Sequence, residues 1–296
     1  HRFMACVEVA LVADEEQRVS DRDDVQSWFD VFGWIRRESG GFEDSDLYAA
    51  TLEAARLYET LAHLALVDRL GAGDLLLDAA CGPLPHPEHL EYQREFRHRV
   101  CVDFSIRALR EAQAKLGEKG TYVQADLSRL PFRDDLFDGA ICAYAIMHVN
   151  RERQPAVLQD LVRVLRPQRH LLLVSDNPDP GRRRHRIYRD CWRLLTGFRR
   201  GSPATSQDRY DRQAAAPELY FHPPSIRWWT DQARRLGVRA RVECQRVFHV
   251  EEMELYFSHS TRTPRRFRWV ERRFPRMLAP ISRYLLLDLV KPDRGD

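Results

Sequence analysis

The sequence predicts an α/β fold built on a mostly parallel sheet, and three observations carry that prediction. Short continuous apolar runs recur between residues 75 and 176, as expected of strands covered on both faces. Segments with helical spacing separate them, and such alternation implies right-handed crossovers. Three of the runs end at an aspartate, Asp78, Asp103 or Asp126. Open sheets of this kind bind ligands beyond the carboxyl ends of their strands.

Taken in order, the chain begins with helical patterning. Asp24 to Arg37 places Val25, Trp28, Phe29, Phe32 and Ile35 on one face, and Leu52 to Leu70 carries a stripe of Leu57, Leu61, Leu64 and Val67 that Gly71 stops. Strands follow at Leu75–Asp78, Arg99–Asp103, Tyr122–Ala125, Phe137–Cys142 and His170–Ser175, with helices over Ile106–Leu116 and Arg153–Leu165. Asn177-Pro-Asp-Pro-Gly181 is a turn cluster, after which a basic amphipathic helix, Arg186–Phe198, a polar loop and a helix from Pro223 to Leu236 are expected. Val238–Val250 and Tyr284–Val290 read as the last two strands.

Composition narrows the class. With 296 residues and 44% apolar content the chain can bury a full core, yet no apolar run approaches the ~18 residues of a membrane span. Phe3–Val12 is too short for a targeting segment, and Asp14-Glu15-Glu16 after it does not look like a cleavage site. The six cysteines are scattered without a C-x-x-C pair, which predicts buried free thiols in a reducing, cytoplasmic setting. Net charge is only +3, but arginine clusters at 182–184, 199–200 and 262–276. The second and third lie among aromatic residues, a pattern that suits nucleic acid or an anionic membrane surface; helix-face arginines laid along apolar surface are the plainer reading.

The turn after the first strand is Asp78-Ala-Ala-Cys-Gly82-Pro-Leu-Pro85. Its lone glycine makes a poor pyrophosphate cradle, which needs G-x-G-x-x-G at a helix N-terminus. A cofactor without phosphates fits better.

These segments resemble the class I S-adenosylmethionine-dependent methyltransferases, particularly the UbiE-like branch. Leu-Leu-Leu-Asp78-Ala-Ala-Cys-Gly82 is similar to that family's first motif, Val-Cys-Val-Asp103-Phe-Ser to its second-strand motif, and Gln-Ala-Asp126-Leu to its adenine-site motif. Ile146-Met147-His148-Val149 and Leu165-Arg166-Pro167 resemble the segments around its fourth and fifth strands. The resemblance implies a Rossmann-like sheet of seven strands, mostly parallel with the last antiparallel. It implies a helical cap over 1–70, a cofactor-binding core over 71–176, a substrate-side insertion between strands five and six over 177–237, and closing strands over 238–296. S-adenosylmethionine, leaving as S-adenosylhomocysteine, is the implied cofactor, with Asp78, Ala80, Cys81, Gly82, Asp103, Phe104, Asp126, Leu127 and Ala143 around it. One carboxylate, Asp103, can accept from both ribose hydroxyls, and Asp126 can accept from the adenine amino group with Phe104 and Leu127 flanking the ring. The family often has glycine where Ala80 and Leu84 stand, so the loop is stiffer here.

The implied reaction is direct displacement of a methyl group onto a small or medium-sized acceptor. His148 is the candidate general base, set against a packing role, and Tyr144 a candidate wall beside the methyl group. Tyr58, His222 and Trp228 are candidate acceptor-site residues, each with a packing alternative. His86, Glu88 and His89 lack the spacing of a metal site, and no metal is expected. Two rival readings stand beside this one: an enzyme acting on RNA or a lipid-linked glycan through the arginine-rich faces, and a non-catalytic binding protein on the same fold.

Overall fold

The computed structural model describes residues 19–181, 215–249 and 262–293, with 186, 188, 190, 252 and 253, less positions 39, 49 and 51. The predicted basic helix Arg186–Phe198 and the arginines at 182–184 and 199–200 fall almost wholly outside the described residues.

Seven strands form one sheet: β1 (Gly73–Ala79), β2 (Phe96–Asp103), β3 (Gly120–Gln124), β4 (Gly139–Ala143), β5 (His170–Asp176), β6 (Arg239–Arg246) and β7 (Tyr284–Val290). Their order is β3-β2-β1-β4-β5-β7-β6, with β1 to β5 parallel and β7 antiparallel to both its neighbours. Leu76, Leu77, Ile141, Leu172 and Leu173 are buried in the centre of the sheet. Continuous apolar runs form these strands because helices cover both faces.

Helices α1 (Val19–Trp28), α2 (Glu43–Tyr48) and α3 (Glu53–Leu70) precede the sheet. The single helix expected over Asp24–Arg37 is broken: α1 gives way to a five-residue π-helical turn, Phe29–Gly33. Gly33 permits this, since a Cβ there would lie 2.7 Å from the Trp28 ring. The inner face of helix α3 is shifted from the expected stripe: Val67 of that stripe is buried, but Leu57, Leu61 and Leu64 are only half-buried. Its buried side is Tyr58, Glu59, Ala62, His63 and Leu66, three of them ionisable.

Helices α4 (Ile106–Leu116) and α5 (Gln154–Val164) are the crossovers, α6 (Ile226–Arg235) leads into β6, and α7 (Arg262–Arg273) with the short α8 (Pro275–Leu278) leads into β7. Ser105 caps α4 by accepting from the Ala108 amide at 3.1 Å. The sixth strand ends at Arg246, short of the expected Val250, because a register shift between Cys244 and Arg246 turns Val247 and Phe248 into the core against Tyr58 and Phe267. No described helix is long and apolar enough to cross a membrane.

Candidate functional site

Every strand-end residue singled out above sits at the carboxyl edge of the sheet, and the edge divides into two halves. The first lies over β1, β2 and β3. The loop after β1 places Ala80, Gly82 and Leu84 at φ 57°, 55° and 51°. A left-handed backbone therefore persists at both positions where alanine and leucine replace glycine. Each costs about 1–2 kcal/mol in a non-glycine residue, so something must hold the loop. Leu84 does so by burying its side chain against Cys81, Cys101, Leu109, Ala112 and Leu116. Lys115 completes the clamp by donating to the carbonyls of Pro83 and Leu84, both at 2.7 Å.

Asp103 closes β2 beneath this loop. Its Oδ2 accepts from the Gly82 amide and its Oδ1 from the Ser105 amide, both at 2.9 Å. Burial pushes its carboxyl up to about 6, against those two hydrogen bonds. Each oxygen keeps a further lone pair, so the carboxylate can still accept from a vicinal diol.

The Cys81 amide donates to Val102 at 3.0 Å and the Gly82 amide to Asp103. Both amides serve the loop itself. Cys81 is buried, with its thiol raised well above the ordinary value by burial. Asp78 is also engaged internally. Its carboxylate bonds through Oδ2 to Arg99 Nε at 3.0 Å and to the second guanidinium nitrogen, while Arg99 donates to the His89 carbonyl at 2.6 Å. The pair is buried, so Asp78 ties β1, β2 and the following 3₁₀ turn (Pro87–Gln93) together and presents no net charge to the cleft.

Asp126 follows β3 and forms an Asx turn, accepting from the Ser128 amide and hydroxyl at 2.8 Å each and from Arg153 at 2.5 Å. Burial tends to raise it, but the Ser128 and Arg153 hydrogen bonds hold it below the ordinary carboxylate range. Leu127 is buried beside it, and Phe104, after β2, is half-buried.

Aromatic residues of the N-terminal cap roof this half. Trp34 stacks on Phe29 at 4.9 Å, and a Cβ on Gly82 would lie 3.3 Å from its ring. Trp34 Nε1 is buried and lacks a hydrogen-bond partner among the described residues. An unmatched donor on the ring over the Gly82 turn, together with the spare lone pairs of Asp103 that bonds this turn, suits a ligand with both hydroxyl and carboxylate oxygens. Adenosylmethionine has those groups, and the residues present fit it.

The second half lies over β4, β5, β7 and β6. Ala143 ends β4, and Tyr144 after it takes φ 57°. Asp176, Tyr284 and Arg246 share one cross-strand row at this edge. Arg246 lies over the Tyr284 ring at 4.1 Å and pairs with Glu59 of α3 at 2.7 Å. Tyr144 packs edge-on against Tyr284 and against His63 of α3. Desolvation raises the Asp176 carboxyl to about 6, opposed mainly by Arg246.

The expected acceptor-site residues mostly lie elsewhere. Tyr58 is fully buried and is not in the cleft: its hydroxyl bonds to Glu271 and accepts from the Val247 amide at 3.1 Å. It is a strut between α3, α7 and the end of β6. Trp228 packs edge-on against buried Trp229 and onto the core layer, so it belongs to the α6 packing face. His222 lies against the segment after β4, its amide donating to the Met147 carbonyl at 2.7 Å and its carbonyl accepting from Gln154 at 2.8 Å.

His148 sits between Phe29 and Phe221, both ring centres 5.7 Å away. It faces the Tyr220 carbonyl at 3.0 Å through Nδ1. A carbonyl only accepts, so Nδ1 carries the proton. Burial lowers its pKa, partly offset by that bond.

The third arginine cluster is partly internal. Arg268 of α7 is buried and pairs with Glu271 at 2.6 Å, whereas Arg265, Arg266, Arg272 and Arg273 are exposed with Trp269. Among the described residues no three His, Cys, Asp or Glu side chains come together as a metal site.

Residues 76–168 match the family model described as a methyltransferase domain. Over 166 residues the chain is 30% identical to the demethylmenaquinone methyltransferases of Mycobacterium bovis (strain BCG / Pasteur 1173P2) and Mycobacterium tuberculosis (strain ATCC 25618 / H37Rv). That match takes in 56% of this chain and 64% of each relative. Among solved structures, a chain from the Haloferax volcanii complex of the Trm112 methyltransferase activator superposes with a TM-score of 0.51 at 16% identity, covering 82% of this chain and 96% of that one. A Bordetella parapertussis protein superposes at 0.51 and 16%, covering 90% and 79%. At these identities the structural likeness concerns the fold.

Proposed function

We propose that this chain, a member of the class I S-adenosylmethionine-dependent methyltransferases, transfers a methyl group from that cofactor to a small or medium-sized acceptor. The cofactor lies over β1, β2 and β3, and the acceptor over β4, β5, β7 and β6. Residues 71–176 supply the cofactor core; 1–70, 177–237 and 238–296 supply the cap, the substrate-side wall and the closing strands.

The observation that carries the reading is Asp103. It is a buried carboxylate whose two oxygens are each fixed by one backbone amide and each able to accept once more, under a glycine turn with no pyrophosphate cradle. When bound, the cofactor supplies an electrophilic methyl group on a sulfonium that leaves as a neutral thioether. Asp103 accepts from the ribose hydroxyls, and Asp126, held by Ser128 and Arg153, offers an acceptor to the adenine edge. Phe104 and Leu127 flank the ring. Gly82 presents no side chain, Ala80 and Cys81 set the turn's course, and Trp34 contributes an N–H. Aromatic faces nearby favour a cation such as the sulfonium. Ala143 and Tyr144 lie where acceptor and methyl group would meet, and alignment there supplies most of the acceleration of a direct displacement.

The test is calorimetry of S-adenosylmethionine with the full chain. Asp103→Ala should abolish binding while the circular dichroism spectrum is retained; unchanged affinity would remove the site assignment. Four free, buried cysteines (81, 101, 142 and 244) support a cytoplasmic setting. The exposed Trp269 among arginines on α7 supports a second reading, an acceptor on RNA or a lipid-linked glycan. That reading requires activity to fall steeply with added salt.

A further inference from the structure

We propose that Tyr144 takes the proton from a phenol- or enol-type hydroxyl acceptor and passes its own to His63, which Glu88 orients. This rests on the methyltransferase reading above. Helix α3 turns His63 inward, and the 3₁₀ turn over Pro87–Gln93 brings Glu88 to it, Oε1 to Nδ1 at 2.8 Å. His63 Nε2 lies 3.3 Å from the Tyr144 hydroxyl. The ionised carboxylate only accepts, so Nδ1 carries the proton and Nε2 offers a lone pair to the tyrosine O–H. Carboxylate, imidazole and hydroxyl thus stand in the order of a proton relay.

Burial dictates who touches the acceptor. His63 is 1% exposed and sealed behind Tyr144, whereas Tyr144 is half-buried, directly after β4. Its left-handed backbone is the kind of strain that persists at working sites. His148, the base expected from sequence, sits between aromatic rings with no carboxylate bonded to it among the described residues.

Several titratable and charged groups surround His63. They are His86, Glu88 and His89 from the segment after β1, Glu59 from its own helix and Tyr144 after β4, with Arg246 of β6 paired to Glu59. Burial would raise Glu88, but its hydrogen bond with His63 outweighs that and lowers it, so it is ionised. Burial pushes His86 down to about 4 and His89 well below the ordinary value, so neither competes for the proton. Burial pushes Tyr144 up to about 12, with Arg246 opposing, so its hydroxyl gives up a proton only as it gains one.

In the step, the acceptor oxygen bonds to the methyl carbon as the sulfur–methyl bond breaks and sulfur keeps the electron pair. The acceptor's proton moves to Tyr144 Oη and the tyrosine's proton to His63 Nε2. The positive charge brought in on sulfur ends on the imidazolium, facing Glu88.

The experiment follows S-adenosylhomocysteine formation by the full chain with phenol, catechol, 1-naphthol and 1,4-naphthohydroquinone from pH 6 to 9. Products are identified by mass spectrometry, and cofactor affinity is measured by calorimetry on the same samples. The wild type should methylate at least one probe at oxygen. Tyr144→Phe and His63→Gln should lose about 100-fold in kcat, with cofactor Kd within about threefold. Glu88→Gln should lower kcat while KM and cofactor Kd stay near wild type, with partial rescue by Glu88→Asp, as expected of a residue that orients the imidazole. Should His63→Gln fail to fold, Tyr144→Phe, which deletes one hydroxyl, decides. Undiminished turnover in Tyr144→Phe, methylation at carbon only, or no methylated probe despite bound cofactor would each overturn the relay. A wild type that binds no S-adenosylmethionine would instead overturn the methyltransferase reading, so the two failures are distinct.

Discussion

The two halves of the sheet edge are built by different means. Over β1 to β3 the contacts are short in sequence and mostly to backbone: Gly82 meets Asp103 across 21 residues, and Ser105 meets it across 2. Over β4 to β6 they join distant side chains, Tyr144 to His63 across 81 residues and Arg246 to Glu59 across 187. A ligand common to many enzymes can be held by a local loop whose geometry is repeated. An acceptor peculiar to one enzyme needs a wall assembled from whichever elements the fold happens to bring there.

The contrast can be broken most severely at Asp103. Each charge-assisted hydrogen bond is worth about 1.5–3 kcal/mol, so Asp103→Ala should weaken cofactor binding by about 100-fold or more, measured by calorimetry. Stability is next. Arg99→Met leaves Asp78 charged and buried without its partner, so denaturant melts should show a loss of about 3–5 kcal/mol. The same melts separate two residues of like backbone. Leu84→Gly forfeits a buried side chain and should cost about 2–4 kcal/mol, whereas Ala80→Gly relieves strain and should stay within about 1 kcal/mol of wild type.

A smaller effect tests charge. Burial raises Asp103 to about 6. A raised carboxyl favours the folded chain while protonated, so this contribution is complete below the ordinary value near 3.8 and lost as pH rises through about 6. Cofactor affinity runs the opposite way, since the ribose needs the ionised form. It should fall by up to about tenfold per unit below pH 6, and the slope should disappear in Asp103→Asn. The smallest effect is expected at His148. His148→Ala should change kcat by less than about fivefold, with the shape of the pH profile kept.

Sequence order carried the first half well because strand, acid and turn follow one another along the chain. Asp78, Asp103 and Asp126 were legible as strand ends, and the persistence of a left-handed backbone at Ala80 and Leu84 was foreshadowed by the family's glycines. What Asp78 does there was not legible, since its partner Arg99 sits in the next strand and reads as one more arginine. The second half was obscured by α3. Its leucines suggested one inner face, while the fold buries the neighbouring one with Glu59 and His63, because a sheet edge rich in Tyr144, Tyr284 and Arg246 rewards polar partners. Likewise His86, Glu88 and His89 were set aside for lacking metal-ligand spacing. Their common feature was proximity to a histidine 25 residues before Glu88, which no local pattern records.

Trp34 has a practical consequence. Its ring is in van der Waals range of the Gly82 turn, and its N–H is buried and unmatched among the described residues. Indole emission shifts in colour and yield when its hydrogen bonding and neighbours change, so arrival of an oxygen-rich guest on that turn is written into the protein's own fluorescence. Subtracting the spectrum of Trp34→Phe isolates that signal from the other five tryptophans. The chain comes with an unlabelled optical gauge of its occupancy, suited to stopped-flow timing of how fast the roof admits a guest.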